Sequence, residues 1–149
     1  MALQNAGIAF TEHRYEHDPA AASFGLEAAE ALGVPVEQVF KTLMCDVDGR
    51  AHVAIVPVHC KLDLKHLASA VHGKKAEMMP VTTAERLTGY IAGGISPIGQ
   101  KRQSPTVIDE TALLFDEIFV SGGRRGFDIA LAPDALITLL DAVVADIAR

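Results

Sequence analysis

The sequence lacks any long uninterrupted apolar stretch, and it has few cysteines. No run approaches the roughly 18 apolar residues that a membrane-spanning helix requires, and residues 1–7 lack the basic and then apolar order of a secretory signal. These two absences predict a cytoplasmic protein. Cys45 and Cys60 lie far apart without a CxxC or Cys/His ligand pattern, so neither a disulfide framework nor a zinc site is predicted.

Positive charge is also scarce. Acidic side chains number 19 against 13 Lys and Arg, which gives a formal net charge of −6. Because phosphate contacts supply most of the affinity for a nucleic-acid backbone, this balance argues against extended binding along RNA or DNA. Basic pairs could still contact a short single-stranded end, although such pairs are also common on any solvated surface. They are Lys74/Lys75, Lys101/Arg102 and Arg124/Arg125.

The familiar catalytic signatures are absent as well. The sequence contains no GxSxG, HExxH, P-loop or dinucleotide-binding pattern. His13 and His17 flank a strand-like run, where their spacing does not bring both rings to one face, so metal binding is not predicted. Cys45 lies in an apolar run and is predicted to be a core or edge residue. His59 and Cys60 are adjacent, and adjacent strand residues point to opposite faces, so no dyad is predicted.

What the sequence does contain is material for one compact domain, residues 1–149. Its composition is 50% hydrophobic and 21% charged, with no repeat and no Pro/Ser-rich linker. Strand-like and helix-like segments alternate, which predicts a mixed sheet with helices packed around it, of α+β or α/β class. The predicted strands are residues 8–15, 39–45, 52–58, 106–108, 118–121 and 127–131. Asp48-Gly49 predicts a hairpin between the second and third of these strands.

Helix signals separate the strands. Residues 24–32 read as a helix ended by Gly33, and residues 62–71 as an amphipathic helix. Thr82-Thr83-Ala84-Glu85 matches a capping box for a short helix that Gly89 ends. A closing helix is predicted to begin at Pro133 and Asp134. Its predicted buried stripe is Leu136, Leu139, Leu140, Val143 and Ile147.

Two glycine-rich segments and one lysine are the candidates for chemistry. Residues 89–97 and 121–126 could let backbone amides point together at a carbonyl or oxyanion, although tight turns between strands explain such glycines equally well. Lys41 falls inside the apolar run of residues 39–44, where an inward lysine would be costly without a partner. Spacing alone leaves open whether the lysine side chain reaches solvent at the end of its strand face or projects into a cleft.

Taken together, these segments resemble the YbaK family of the prolyl-tRNA synthetase editing-domain superfamily. The matching pieces occur in the family's order and span nearly the whole chain. They are Tyr15-Glu16-His17-Asp18-Pro19, Phe24-Gly25, Phe40-Lys41-Thr42-Leu43, Gly89-Tyr90 through Gly99-Gln100-Lys101, and Val120-Ser121-Gly122-Gly123 with Gly126-Phe127-Asp128-Ile129. The long Gly-Tyr-x-x-Gly-Gly-Ile-Ser-Pro-x-Gly-Gln-Lys block is the most specific of them.

The resemblance implies an α+β domain with a mixed, twisted sheet wrapped by helices, and a cleft for the aminoacylated 3′ end of tRNA. It implies cysteinyl-tRNA for proline as substrate, no cofactor or metal, and prolyl-tRNA synthetase as the partner that holds the tRNA body. By similarity, Lys41, Gly93 and Gly94 would be catalytic, the glycines through their amides. The implied substrate contacts are Tyr15, Phe24, Thr42, Ile95, Ser96, Ser121, Gly122 and Asp128.

The implied mechanism explains the missing nucleophile. As in the resembling enzymes, the cysteine thiol of the substrate would attack its own ester carbonyl and release tRNA and a cyclic thiolactone. Lys41 would orient the terminal nucleotide or neutralise charge rather than act as a base, because an ordinary lysine is protonated at neutral pH. Two alternatives stay open: a related enzyme that removes alanine or serine with water, and a non-catalytic protein that binds aminoacylated ends.

Overall fold

The computed structural model describes residues 6–16 and 24–149. The strands are β1 (Phe10–Arg14), β2 (Phe40–Val47), β3 (Arg50–Pro57), β4 (Ala76–Met78), β5 (Thr106–Asp109), β6 (Ile118–Arg124), β7 (Phe127–Leu131) and β8 (Val143–Ala145). The helices are α1 (Phe24–Leu32), α2 (Leu64–Ala70), α3 (Val81–Thr88) and α4 (Pro133–Leu140), with short 3-10 turns at Val36–Gln38 and Glu110–Leu114. Within the two described ranges, none of the helices has the length and hydrophobicity needed to span a bilayer.

The strands form two sheets. One has three antiparallel strands in the order β1-β7-β6, and the other has five in the order β4-β2-β3-β5-β8. In the larger sheet, β2 is antiparallel to both β3 and β4, whereas β5 is parallel to β3 and to β8. An isolated parallel bridge between Val39 and Phe119 joins the two sheets. The predicted α+β fold with a mixed sheet and helices around it is confirmed.

The main hydrophobic core lies between the two sheets. Phe40, Met44 and Ile55 of the larger sheet contribute to the same buried cluster as Ile118 and Ile129 of the smaller sheet. The opposite face of the larger sheet is buried too. Cys45, Val47, Ala54 and Val56 pack there with Leu67 and Ala68 of α2. Alternation along β2 therefore sends Phe40, Thr42 and Met44 toward the main core and Lys41, Leu43 and Cys45 toward the other face.

The predictions that rest on tight local geometry are confirmed. Asp48 and Gly49 have φ angles of 51° and 81° in a two-residue turn that pairs Val47 with Arg50, as the favoured hairpin turn requires. The Asp48 carboxylate also accepts the amides of Lys74 and Lys75, both at 2.9 Å, and these bonds lower its pKa. α1 ends at Leu32, before Gly33 with a φ of 67°.

The predicted capping box is wrong. α3 begins at Val81 after Pro80, whose extended backbone has a ψ of 140°, and no side chain caps its N-terminus. The two threonines therefore already lie inside the helix, so neither can occupy the capping position. The Glu85 carboxylate instead accepts the amide of Ala92 at 2.9 Å. The predicted end of this helix at Gly89 is confirmed by its left-handed φ of 80°.

The predicted length of the closing helix is also wrong. α4 ends at Leu140 because Asp141 adopts a left-handed φ of 51°, and the chain then pairs with β5 as β8. Leu136 is fully buried as predicted, but Val143 is 44% exposed on a sheet edge. Ile147 is fully buried beyond β8, where its amide donates to the Asp109 carboxylate at 2.9 Å.

Candidate active site at the open edge of strand β2

A cavity of about 390 Å³ lies beside β2, between the two sheets. We call it the main cavity. Its walls come from both sheets, from α1 and α3, and from the loop of residues 89–97, which we call the glycine loop. The predicted site residues that line it are Tyr15, Lys41, Thr42, Gly93, Ile95, Ser121 and Asp128. Phe24 begins α1, but its side chain lies outside the described part of the structure.

The cavity exists because β2 has a partner along only part of one edge. β3 pairs with all of β2, whereas β4 pairs only with residues 45–47 on the other side. The Met44 carbonyl faces this second side, since it accepts the Met79 amide at 3.1 Å. Peptide groups alternate along a strand, so those of Thr42 face the same side, at the unpaired stretch. The buried Thr42 hydroxyl has no hydrogen-bond partner in the described residues, which is the state expected of a ligand contact.

Lys41 contributes to the cavity wall at the open edge of β2, and alternation along the strand starts its side chain on the face of Leu43 and Cys45. Its ammonium has no hydrogen-bond or ion-pair partner among residues 6–16 and 24–149. Burial lowers the pKa of Lys41, and the nearby Cys60 thiol acts in the opposite direction. A lysine held half-buried without a partner can bind an anionic or carbonyl group of a ligand.

Asp128 is the most unusual polar residue of the cavity. It lies on β7 and is 6% exposed, yet its carboxylate has no hydrogen-bond or ion-pair partner in the part of the chain that the structure describes. Burial raises the pKa of Asp128 to about 7. The pKa of Tyr15 is raised to about 12, first by burial and then by the charge of Asp128. A buried carboxylate without a partner is destabilising, so its presence in a cavity indicates a cationic ligand.

The amide of Gly93 in the glycine loop has no partner among the described residues. Residues 91–94 form a turn that the Gly94 amide closes on the Ile91 carbonyl at 2.9 Å. Gly93, at the third position with a φ of 88°, lines the cavity, and its amide has no partner among the described residues. The prediction for Gly94 is therefore corrected, because its amide is already used within the turn. Gly94 is required for packing, since a Cβ there would lie 2.6 Å from the Arg124 Cα.

Ser96 and Gly122 do not line the main cavity, which corrects two predicted substrate contacts. Ser96 is buried, and its hydroxyl accepts the amide of Ile98 at 3.2 Å inside the glycine loop. A Cβ at Gly122 would lie 2.5 Å from the Phe127 ring, so this glycine makes room for the ring. Both residues shape the loops from behind the cavity wall.

The two cysteines are not activated nucleophiles. Cys45 is fully buried, as predicted, and burial raises its pKa to about 12. The argument that separated His59 from Cys60 is wrong, because β3 ends at Pro57 and both residues lie in the following turn. The Cys60 sulfur lies 3.5 Å from Nε2 of His59. Burial nevertheless raises the pKa of Cys60, which disfavours a thiolate.

No sequence pattern predicted the apolar wall that α3 and β4 supply. Met78, Val81 and Ala84 line the cavity there, and Met78 and Val81 are 49% and 58% exposed. Exposed apolar side chains beside an opening are typical of a ligand site. Their only signal in the sequence is a Met-Met-Pro-Val run that short-range patterns do not assign to a site.

A second cavity of about 430 Å³ lies across α3 from the first, and Met79 lines both. Arg50 and Arg102 line this basic cavity, and their guanidinium groups have no partner within residues 6–16 and 24–149. Asp46 is an acidic residue of the same wall. The other basic pairs differ: Lys75 pairs with Glu77 at 2.8 Å, and Arg124 lies 5.3 Å over the Phe127 ring.

The comparison with known families agrees with this geometry. Residues 18–139 match the family described as the aminoacyl-tRNA editing domain. The chain belongs to this family. The resemblance to the editing-domain superfamily that the motifs predicted is thereby confirmed.

Individual relatives of this editing domain cover most of the chain. It is 44% identical over 120 residues to EbsC of Enterococcus faecalis, a proposed Cys-tRNA(Pro)/Cys-tRNA(Cys) deacylase, a match that covers 80% of this chain and 73% of that protein. It is 31% identical over 108 residues to the multifunctional Ser/Thr-tRNA deacylase ProXp-y of Escherichia coli, covering 69% and 65%. A solved structure of a proposed trans-editing enzyme for prolyl tRNA synthetase has a TM-score of 0.84 at 28% identity, covering 99% and 92%.

Proposed function

We propose that this editing domain is a trans-editing deacylase that removes cysteine from Cys-tRNA(Pro), with Cys-tRNA(Cys) as a second substrate. The observation that carries the proposal is the set of unpaired polar groups around one cavity: the Asp128 carboxylate, the Thr42 hydroxyl and the Gly93 amide, with Lys41 in the wall at the edge of β2. An aminoacyl ester presents the complementary groups, an ammonium, a carbonyl and a ribose with its phosphate. The relative of highest identity given above acts, by its name, on the same two substrates.

Each unpaired group has one proposed role. The Asp128 carboxylate binds the α-ammonium of the amino acid, which restores the partner that the buried charge lacks. The Gly93 amide donates to the ester carbonyl and stabilises the oxyanion that develops there. Lys41 and the Thr42 hydroxyl hold the terminal nucleotide. Tyr15, Ser121 and Ile95 shape the remaining wall.

The substrate supplies the nucleophile in this proposal. The cysteine sulfur attacks the carbonyl carbon, the new C–S bond closes a cyclic thiolactone, and the C–O bond to the ribose breaks. The thiol loses its proton to solvent, and the departing ribose oxygen takes one up. A free thiol is a few per cent ionised near pH 7 and strongly nucleophilic, so holding it against the carbonyl accounts for much of the acceleration.

The RNA contact is proposed to be short. Beyond the terminal nucleotide, Arg50 and Arg102 of the basic cavity contact a phosphate of the 3′ strand. The net charge of −6 opposes a longer interface, so prolyl-tRNA synthetase in the cytoplasm is the proposed partner that holds the tRNA body. Retention of the synthetase on the immobilised protein only when tRNA is present would support this complex.

Deacylation of Cys-tRNA(Pro) by the Lys41→Ala variant tests the site. We expect turnover to fall at least about 100-fold, because an unpaired cation that contacts the substrate is lost. Lys65→Ala is the matched control, since Lys65 is exposed on α2 and lines neither cavity. A fully active Lys41→Ala variant with a wild-type melting temperature would contradict the assignment.

A further inference from the structure

Ala92, the residue before Gly93, is held on both of its peptide groups. The amide of Ala92 donates to the Glu85 carboxylate at 2.9 Å. The carbonyl of Ala92 accepts two hydrogen bonds from Arg125, at 3.0 Å from Nε and 2.7 Å from Nη2. The two contacts come from different elements, since Glu85 belongs to α3 and Arg125 to the turn between β6 and β7. We call Glu85 and Arg125 the clamp residues.

This arrangement fixes the direction of the Gly93 amide. The Ala92 carbonyl and the Gly93 amide belong to one peptide group, and in a trans peptide they point in opposite directions. Since the carbonyl points at Arg125, the amide points away from it. Gly93 lines the main cavity, and its amide has no partner among the described residues. Arg125 thus holds the outer end of a peptide whose inner end is the proposed carbonyl donor.

Without the bonds from Arg125, the peptide between Ala92 and Gly93 could reverse. It is the central peptide of the turn over residues 91–94, and the positive φ of Gly93 identifies the type II form. Types I and II differ by a rotation of that central peptide, and glycine accepts both. Rotation to type I would turn the Gly93 amide away from the cavity and put a carbonyl oxygen in its place. The bonds from Arg125 exist only in the observed form, and they also polarise the peptide so that its amide is a stronger donor.

We propose that Arg125 is a positioning residue that keeps the Gly93 amide directed at the ester carbonyl of the substrate, and that Glu85 supports it by anchoring the preceding peptide. The inference rests on the proposed deacylase function. It gives Glu85 a role different from the helix cap that its sequence pattern predicts, and it gives Arg125 a role other than contact with RNA. Arg125 acts on the chemical step, because the donor that it orients is used most strongly when the carbonyl becomes an oxyanion.

Single-turnover deacylation of Cys-tRNA(Pro) by Arg125→Gln tests the proposal, with Arg124→Gln as the matched control. The control removes the same charge from the neighbouring residue, whose guanidinium lies over the Phe127 ring. We expect Arg125→Gln to lower the rate constant of the chemical step about 10-fold or more, with KM within about 2-fold of wild type. Arg125→Lys should recover part of the rate, because an ammonium can still donate to the Ala92 carbonyl. Glu85→Gln keeps an acceptor for the Ala92 amide, so its rate constant should be higher than that of Glu85→Ala.

The outcomes separate this inference from the function on which it rests. A wild-type protein that does not release cysteine would remove the proposed function itself. With an active wild type, an unchanged chemical step in Arg125→Gln, or an equal loss in Arg124→Gln, would overturn the positioning role alone. A rise in KM with an unchanged rate constant would also overturn it, since that pattern belongs to an RNA contact. Partial recovery of the rate constant in Arg125→Lys would show that misfolding does not cause the loss seen in Arg125→Gln.

Discussion

Asp128 lies opposite Ser121 in the ladder between β7 and β6, and both residues line the main cavity. The Asp128 carboxylate is buried there without a partner among the described residues, which raises its pKa to about 7. A protein that needed only stability would not keep a charge in this position. The buried Asp128 carboxylate therefore lowers the stability of the protein by a measurable amount, and the same group is proposed to bind the substrate ammonium.

The Asp128→Asn variant should be more stable than wild type above neutral pH. Because the folded pKa is raised from 3.8 to about 7, the folded protein binds the proton more tightly, and wild-type stability falls as pH rises between these values. At pH 8 the variant should gain up to about 4 kcal/mol in free energy of unfolding, and near pH 4 the gain should almost vanish. Urea unfolding at pH 4, 6 and 8 measures this, and a variant that is less stable at pH 8 would contradict the account.

The same variant should lose activity for a specific reason. N-acetylation of the cysteine removes the ammonium, so wild type should lose at least about 10-fold in kcat/KM on the acetylated substrate. Asp128→Asn should show little further loss from acetylation, because its interaction is already missing. Equal losses in both proteins would show that Asp128 does not contact the amino group.

Arg50 and Arg102 should affect RNA binding but not chemistry. Replacing both with Gln should raise KM for Cys-tRNA(Pro) about 5-fold to 10-fold. The slope of log affinity against log salt concentration should fall by the amount expected for the loss of about one or two phosphate contacts. The double variant Lys61→Gln/Lys65→Gln, which changes the same charge on exposed residues outside both cavities, is the control. A KM that moves equally in both proteins would indicate a general charge effect.

Asp109 should be essential for stability but not for the site. Its carboxylate accepts the amides of Ile147 and Ala148 at 2.9 and 3.0 Å and the hydroxyl of Thr111 at 2.5 Å. In Asp109→Asn an NH2 donor must face either the amides of Ile147 and Ala148 or the amide and hydroxyl of Thr111, so we expect a loss of about 3 kcal/mol in free energy of unfolding. Glu110→Gln, an exposed neighbour, should change it little. Retained deacylation by the folded fraction would separate this role from catalysis.

Local geometry explains which parts of the fold were predictable from the sequence. Asp48-Gly49 and Gly33 were informative because positive φ angles restrict the residues that a position accepts. The spacing of Val143 and Ile147 continues the pattern of α4 and wrongly predicted helix, whereas Val143 pairs with the distant β5 and the amide of Ile147 donates to the Asp109 carboxylate. A local pattern does not contain that information.

The candidate site was likewise only partly predictable from the sequence. The motifs pointed to Lys41, Thr42 and Asp128, but the extent of the β2 edge that β4 leaves open depends on strand pairing. Which of the two glycine amides is free depends on one turn, where Gly94 is consumed and Gly93 is not. The open strand edge and the free amide both depend on tertiary contacts, which local sequence patterns do not predict.

The most direct test of the proposed function is the release of labelled amino acid from tRNA(Pro) charged in turn with cysteine, 2-aminobutyrate, serine, alanine and proline. 2-Aminobutyrate is close to cysteine in size but carries a methyl group where cysteine has its thiol. We expect release of cysteine to exceed that of 2-aminobutyrate by at least about 100-fold, because only cysteine carries the attacking thiol. Equal release of serine or alanine would contradict the thiol-assisted account in favour of hydrolysis by water, and no release from any substrate would leave only a protein that binds the aminoacylated end.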